Sequence, residues 1–142
     1  MAETLAPAKV VFACVANAGR SQMAAALFNT LADPKRARAI SAGTRPGTAV
    51  HPEVVTAMRE LGIDLSTATP QYLSTDLAKD AHMLITMGCG DECPLIPGVE
   101  RDDWPLDDPK GQPAETVRRI RDEIKTNVAA LVKERKWKWS KV

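Results

Sequence analysis

The 142-residue chain has too little of several things to belong to several large protein classes. Three cysteines, an odd number, are too few for a disulfide scaffold and leave packing, metal binding or chemistry as their uses. Two histidines, His51 and His82, stand without a carboxylate or thiol pattern around them, so each reads as a packing or surface residue. A formal net charge of +1 provides no field for nucleic acid. Apolar runs such as Val10 to Val15 are far too short to span a bilayer, and no charged-then-apolar signal segment opens the sequence. The expected location is the cytoplasm, with no membrane partner.

What is present is the balance of a globular protein, 44% hydrophobic and 26% charged residues, with no repeat or low-complexity stretch. This length suits one ordinary core, so residues 1–142 are expected to form a single domain. Lys9 to Val15 is a short run of β-formers, as in a buried parallel strand, and Gln22 to Asn29 reads as a helix closed by Asp33-Pro34. Ala37 to Thr44 predicts a second strand, and His51-Pro52 opens a helix that Gly62 stops. Leu73 to Ala81 predicts a short helix, His82 to Met87 a third strand and Val99 to Trp104 a fourth. Val117, Ile120, Ile124, Val128, Leu131 and Val132 recur at helical spacing and mark a last helix. Alternating strands and helices predict an α/β fold, a four-stranded parallel sheet with helices on both faces and its ligand site beyond the strands' carboxyl ends.

The first such end carries Cys14-Val15-Ala16-Asn17-Ala18-Gly19-Arg20-Ser21, a thiol and a guanidinium at the two ends of a loop between strand and helix. Backbone N–H groups of Val15, Ala16, Asn17, Ala18, Gly19 and Arg20, joined to the unpaired donors of the helix start, form a nest for a tetrahedral oxyanion. Arg20 can grip two of its oxygens. The same surroundings favour thiolate over thiol at Cys14, and Ser21 is placed to donate to the sulfur. An isolated cysteine at a strand end would read as core packing, but the eight-residue pattern reverses that. Asn17 reads as support for a left-handed turn within the loop.

Cys-x5-Arg-Ser at the end of a first strand resembles the signature loop of low-molecular-weight tyrosine phosphatases and of their relatives, the thiol-dependent arsenate reductases. Arg20 to Ala24, Ser41 to Thr44, His51-Pro52, Gly62 to Ser66 and Asp108-Pro109 resemble the reductase branch, so the likeness covers nearly the whole chain. Many relatives carry a second cysteine where this loop has Gly19. The phosphatases place tyrosines after their Asp-Pro pair, whereas Lys110 and Gly111 follow here and the single tyrosine, Tyr72, lies elsewhere.

The resemblance implies a reaction. Cys14 attacks arsenate and Asp108 protonates the departing oxygen, which leaves poorly without a proton; Asp103 and Asp107 read as ordinary loop carboxylates. A second thiol, Cys89, then attacks Cys14 to expel arsenite, and Cys93 attacks Cys89 to move the disulfide to where thioredoxin can reduce it. The two outer cysteines are separated only by Gly90-Asp91-Glu92, a shorter segment than is usual in thioredoxin-coupled relatives. In a related branch a small thiol such as mycothiol attacks the arsenic adduct and a mycoredoxin-type partner releases arsenite, with no need of Cys89 or Cys93. No tightly bound cofactor or metal is expected, since two cysteines without nearby histidines make a poor zinc site. The rival readings are a phosphatase for phosphotyrosine or small phosphate esters, and an oxyanion-binding or thiol-sensing protein without turnover. Arg45 is a rim candidate of low weight, and the tail Arg135 to Lys141 reads as a short packed or frayed terminus.

Overall fold

The computed structural model describes residues 6–88, 93 and 95–139. Its elements run β1 (Ala8–Cys14), α1 (Arg20–Leu31), β2 (Ala37–Gly43), α2 (Pro52–Arg59), α3 (Thr75–Ala78), β3 (Met83–Thr86), β4 (Glu100–Asp103) and α4 (Ala114–Glu134). The strands form one sheet in the order β2-β1-β3-β4, and every pairing is parallel. The expected α/β architecture is therefore present, with boundaries that differ from the sequence reading by one or two residues at most of the predicted elements. The larger difference is α3, which keeps only four residues of a predicted nine because Ser74 caps it, accepting from Leu77 N at 3.0 Å, and Lys79 ends it.

Period-two alternation in β1 divides the interior. Val10 and Phe12 point to one face, with Met23 and Phe28 of α1, Val54 and Met58 of α2 and the apolar stripe of α4. Val11 and Ala13 point to the other, with Leu73, Ala78, Leu84, Cys93 and Ile96. Complete burial of an aliphatic or aromatic side chain stabilises by roughly 1.5–3 kcal/mol, so the first face, closed by Phe12, Phe28, Trp104 and Trp137 in ring contact, carries most of the apolar stabilisation. Helices thus cover both faces unequally: three stand on one, and the single turn of α3 stands on the other. Lys9 holds that turn to β1, its ammonium donating to Leu77 O at 2.6 Å and pairing with Asp80 at 2.7 Å.

Of the carboxyl-terminal tail, Trp137 is packed while Trp139 is exposed. Trp137 is buried against Phe28 and His82, and its carbonyl accepts from Asp33 N at 2.8 Å. His82 is exposed and makes an edge contact with the Trp137 ring. The helix α4 is held to α2 by Arg121, buried and donating to Ala57 O and Glu60, each at 2.8 Å. Residues 1–5, 89–92, 94 and 140–142, among them Cys89, lie outside the described residues.

Candidate active site

At the carboxyl end of β1, in the centre of the sheet, the chain leaves Cys14 and enters α1 at Arg20 through a loop bound by its carbonyls. Thr44 N donates to Cys14 O at 3.2 Å, Arg45 N to Val15 O at 2.8 Å, Gly47 N to Ala16 O at 2.9 Å and His51 N to Ala18 O at 2.9 Å. Gln22 Nε2 donates to Asn17 O at 3.0 Å. With the carbonyls turned outward and paired, the N–H groups are left on the inner side. None of the N–H groups from Val15 to Ser21 donates to any group among the described residues. Seven neighbouring donors without protein partners, continued into a helix start, are the makings of an anion nest.

Asn17 makes the turn possible. Its φ of +51° lies in the left-handed region, which costs an ordinary residue energy, and its side chain is fully buried. Oδ1 accepts from Gln71 N at 2.9 Å, a backbone donor that fixes the amide's orientation and leaves Nδ2 to donate to Ser21 Oγ at 2.8 Å. That hydroxyl accepts a hydrogen bond from Asn17 and lies 2.8 Å from Cys14 Sγ, to which it can donate its own hydrogen when the sulfur is a thiolate. Gly43 permits this fold-back, because a Cβ there would lie 2.5 Å from Val15 O and 2.9 Å from Asn17 N.

Cys14 is only 2% exposed, so the sulfur lies at the bottom of the loop rather than on the surface. Such depth requires that any reacting group descend into the loop to reach the sulfur.

Arg20 closes the other end. Its guanidinium donates to Leu106 O at 3.1 Å, and its Nη2 lies 3.9 Å from Asp108 Oδ2. The loop after β4 therefore meets the loop after β1, as the sequence reading required. Asp108 is held within its own loop by Lys110 N, which donates to Oδ1 at 3.0 Å, and Gly111 N donates to Glu53 Oε2 at 2.6 Å. The Glu53 carboxyl lies below its ordinary range because its own backbone N–H and that of Gly111 stabilise the charge, against some desolvation. Pro109 seats directly on Gly19, where a Cβ would come within 2.9 Å of Pro109 Cγ. Asp103 and Asp107 are not at the site: Asp103 accepts from Thr86 Oγ1 at 2.7 Å, and Asp107 pairs with Arg119 at 3.1 Å.

The outer cysteines divide. Cys89 falls outside the described residues. Cys93 is buried on the α3 face of the sheet, is disulfide-bonded, and its carbonyl accepts from Arg101 Nη1 at 3.3 Å. Cys14 is a free thiol. Among the described residues, no three His, Cys, Asp or Glu side chains gather as a metal site.

Sequence reasoning missed three contributors: the 44–51 segment, Glu53, and Gly88, which lies against Arg20. The first acts through backbone N–H groups and had no side-chain signature. Gly88 had a signal, a glycine immediately before Cys89 at a strand end.

A parallel sheet whose central strand ends in a cysteine, followed by a loop of amides and an arginine and faced by an Asp-Pro loop, defines a single-domain α/β protein with a cysteine at the centre of its sheet's carboxyl edge. The chain belongs to the low molecular weight phosphotyrosine protein phosphatase family, whose model matches residues 9–140. A putative arsenate reductase of Halobacterium salinarum is 42% identical over 134 residues, covering 89% of this chain and 92% of that protein. An arsenate reductase of Staphylococcus aureus is 35% identical over 121 residues, covering 82% of this chain and 89% of that one. Among solved structures, a thioredoxin-dependent arsenate reductase of Corynebacterium glutamicum superposes with a TM-score of 0.79 at 37% identity, over 91% of this chain. This chain spans 62% of that longer protein.

Proposed function

We propose that this chain is an arsenate reductase in which Cys14 is the nucleophile. The observation that carries the reading is the row of N–H groups from Val15 to Ser21, without partners among the described residues, between the Cys14 sulfur and the Arg20 guanidinium. The relatives named as arsenate reductases give the oxyanion its identity.

In the first step the Cys14 thiolate bonds to arsenic as an arsenic–oxygen bond breaks, and the leaving oxygen takes its proton from Asp108. The Cys89 thiolate next attacks the Cys14 sulfur. The electron pair of the sulfur–arsenic bond stays on arsenic, which falls from the pentavalent to the trivalent state, and a Cys14–Cys89 disulfide forms. Cys93 then attacks Cys89, returning Cys14 as thiolate, and the dithiol of a thioredoxin reduces the Cys89–Cys93 bridge. The disulfide-bonded state of Cys93 supports its part in thiol exchange, although its sulfur is buried. In the small-thiol route, mycothiol attacks the arsenic adduct and a mycoredoxin-type partner reduces the mixed species, releasing arsenite.

We take residues 1–142 as one domain working in the cytoplasm, where thiols are kept reduced. No helix among the described residues is long and apolar enough to cross a membrane. Lys110 and Gly111, not tyrosines, follow Asp108-Pro109, and Tyr72 lies exposed beside Gly43, which favours the reductase over a phosphotyrosine phosphatase in this reading.

The test is arsenite release measured with thioredoxin and its reductase, and separately with mycothiol and mycoredoxin, against hydrolysis of an aryl phosphate. Arsenite formation with either donor supports the reading. No arsenite with either, together with rapid aryl phosphate cleavage, replaces it with the phosphatase. Anion binding with neither reaction replaces it with a binding or sensing protein.

A further inference from the structure

The Arg20 guanidinium rests on Gly88. A Cβ built on Gly88 would overlap Arg20 Nη1 and come within 3.2 Å of Cζ, so the Nη1 end of the guanidinium occupies the space that any side chain would fill. The backbone of Gly88 has φ +100°, a conformation that L side chains rarely adopt. Two independent requirements, the dihedral and the space, therefore converge on glycine at this position. The opposite contacts of the same guanidinium come from the loop after β4: Leu106 O accepts from Nη1 at 3.1 Å, and Asp108 Oδ2 lies 3.9 Å from Nη2. Arg20 is thus clamped between the end of β3 and the Asp-Pro loop, with little freedom to swing and only 11% of its side chain exposed.

We propose that Gly88 is a positioning residue for oxyanion binding, acting through Arg20. An arginine binds a tetrahedral anion best when two of its N–H groups meet two oxygens in one plane, so the surface on which the guanidinium lies decides its usefulness. Gly88 is part of that surface, leaving the room in which the Nη1 end of the head sits. The same residue directly precedes Cys89 in the chain, so the segment that bears the second thiol of the proposed relay begins at the contact that sets the anion's arginine. The inference rests on the oxyanion reading of the loop but not on the reduction of what it binds.

Inorganic phosphate, measured by titration calorimetry, is the probe, and the variants are Gly88→Ala, Arg20→Lys and the pair. Lysine lacks the planar head, so Arg20→Lys removes the group that Gly88 positions. In the otherwise native chain, Gly88→Ala is expected to weaken phosphate binding by about tenfold or more, the scale of a lost charge-assisted pair of hydrogen bonds. In the Arg20→Lys background the same substitution should change affinity by less than about twofold, because non-additivity is the signature of one residue acting through another. An equal loss in both backgrounds, or no loss in the native one, overturns the proposal, as does a native chain that binds no phosphate. If Gly88→Ala alone fails to fold, its pairing with Arg20→Ala decides: recovered cooperative unfolding supports the contact, and continued failure shows that the dihedral alone required glycine and overturns it. A chain that binds phosphate yet makes no arsenite counts against the reductase and leaves the coupling measurement fully readable.

Discussion

The Ser21 hydroxyl lies 2.8 Å from the Cys14 sulfur and accepts a hydrogen bond from Asn17 Nδ2, so it can donate its own hydrogen to Sγ when Cys14 is a thiolate. A hydrogen bond to a charged partner contributes about 1.5–3 kcal/mol. Ser21→Ala is therefore expected to slow arsenite formation in a single turnover by about tenfold or more, with phosphate affinity changed far less. Equal loss of both would show that Ser21 merely shapes the loop.

Asn17 supplies both the left-handed dihedral and the buried bonds to Ser21 and Gln71. Glycine keeps the first and loses the second. Asn17→Gly should lower stability by roughly 2–3 kcal/mol in chemical denaturation, and Asn17→Ala by about 1 kcal/mol more, since alanine also carries the dihedral strain. Equal stabilities for the two variants would show that the dihedral contributes nothing.

Glu60 joins α2 to α4. Hydrogen bonds from Arg118 first and Arg121 second lower its pKa from 4.5 to about 2. A carboxyl whose folded pKa is depressed binds fewer protons when folded, so its contribution is complete above the unfolded value and is lost as pH falls through the folded one. Glu60→Gln should be less stable than the native chain near pH 6, and the gap should close between about pH 4.5 and pH 2. Denaturant unfolding across that range checks it; a gap that does not change with pH contradicts it.

Cys89→Ser distinguishes the two electron routes. Thioredoxin-driven turnover should vanish in this variant, because the disulfide relay loses its first outer sulfur. Unchanged turnover with mycothiol and mycoredoxin alone would assign the chain to the small-thiol route.

Much of this was legible in the amino-acid order, for a physical reason. Val10 to Ala13 announce a buried strand by composition, and Cys14 to Ser21 announce the strand-to-helix loop we read as an anion site because thiol, turn former, guanidinium and hydroxyl each stand where that chemistry would need them. Asp108 was legible for the same reason, with the family pattern choosing it over Asp103 and Asp107. What stayed hidden acts through main-chain atoms or distant neighbours. Thr44, Arg45, Gly47 and His51 hold the loop by backbone N–H groups that any residue but proline carries. Glu53 reaches Gly111 across 58 positions of chain, and Gly88 matters by the side chain it lacks. The four-residue α3 was overextended because Leu73 is apolar for the sheet face it packs on, not for a helix.

The most direct test of the central claim is arsenite formation by Cys14→Ser beside the native chain, with both reductant systems supplied and phosphate affinity measured on the same samples. The account predicts that the variant still binds phosphate through the loop amides and Arg20 but forms no arsenite. Arsenite produced by the variant at the native rate would contradict it.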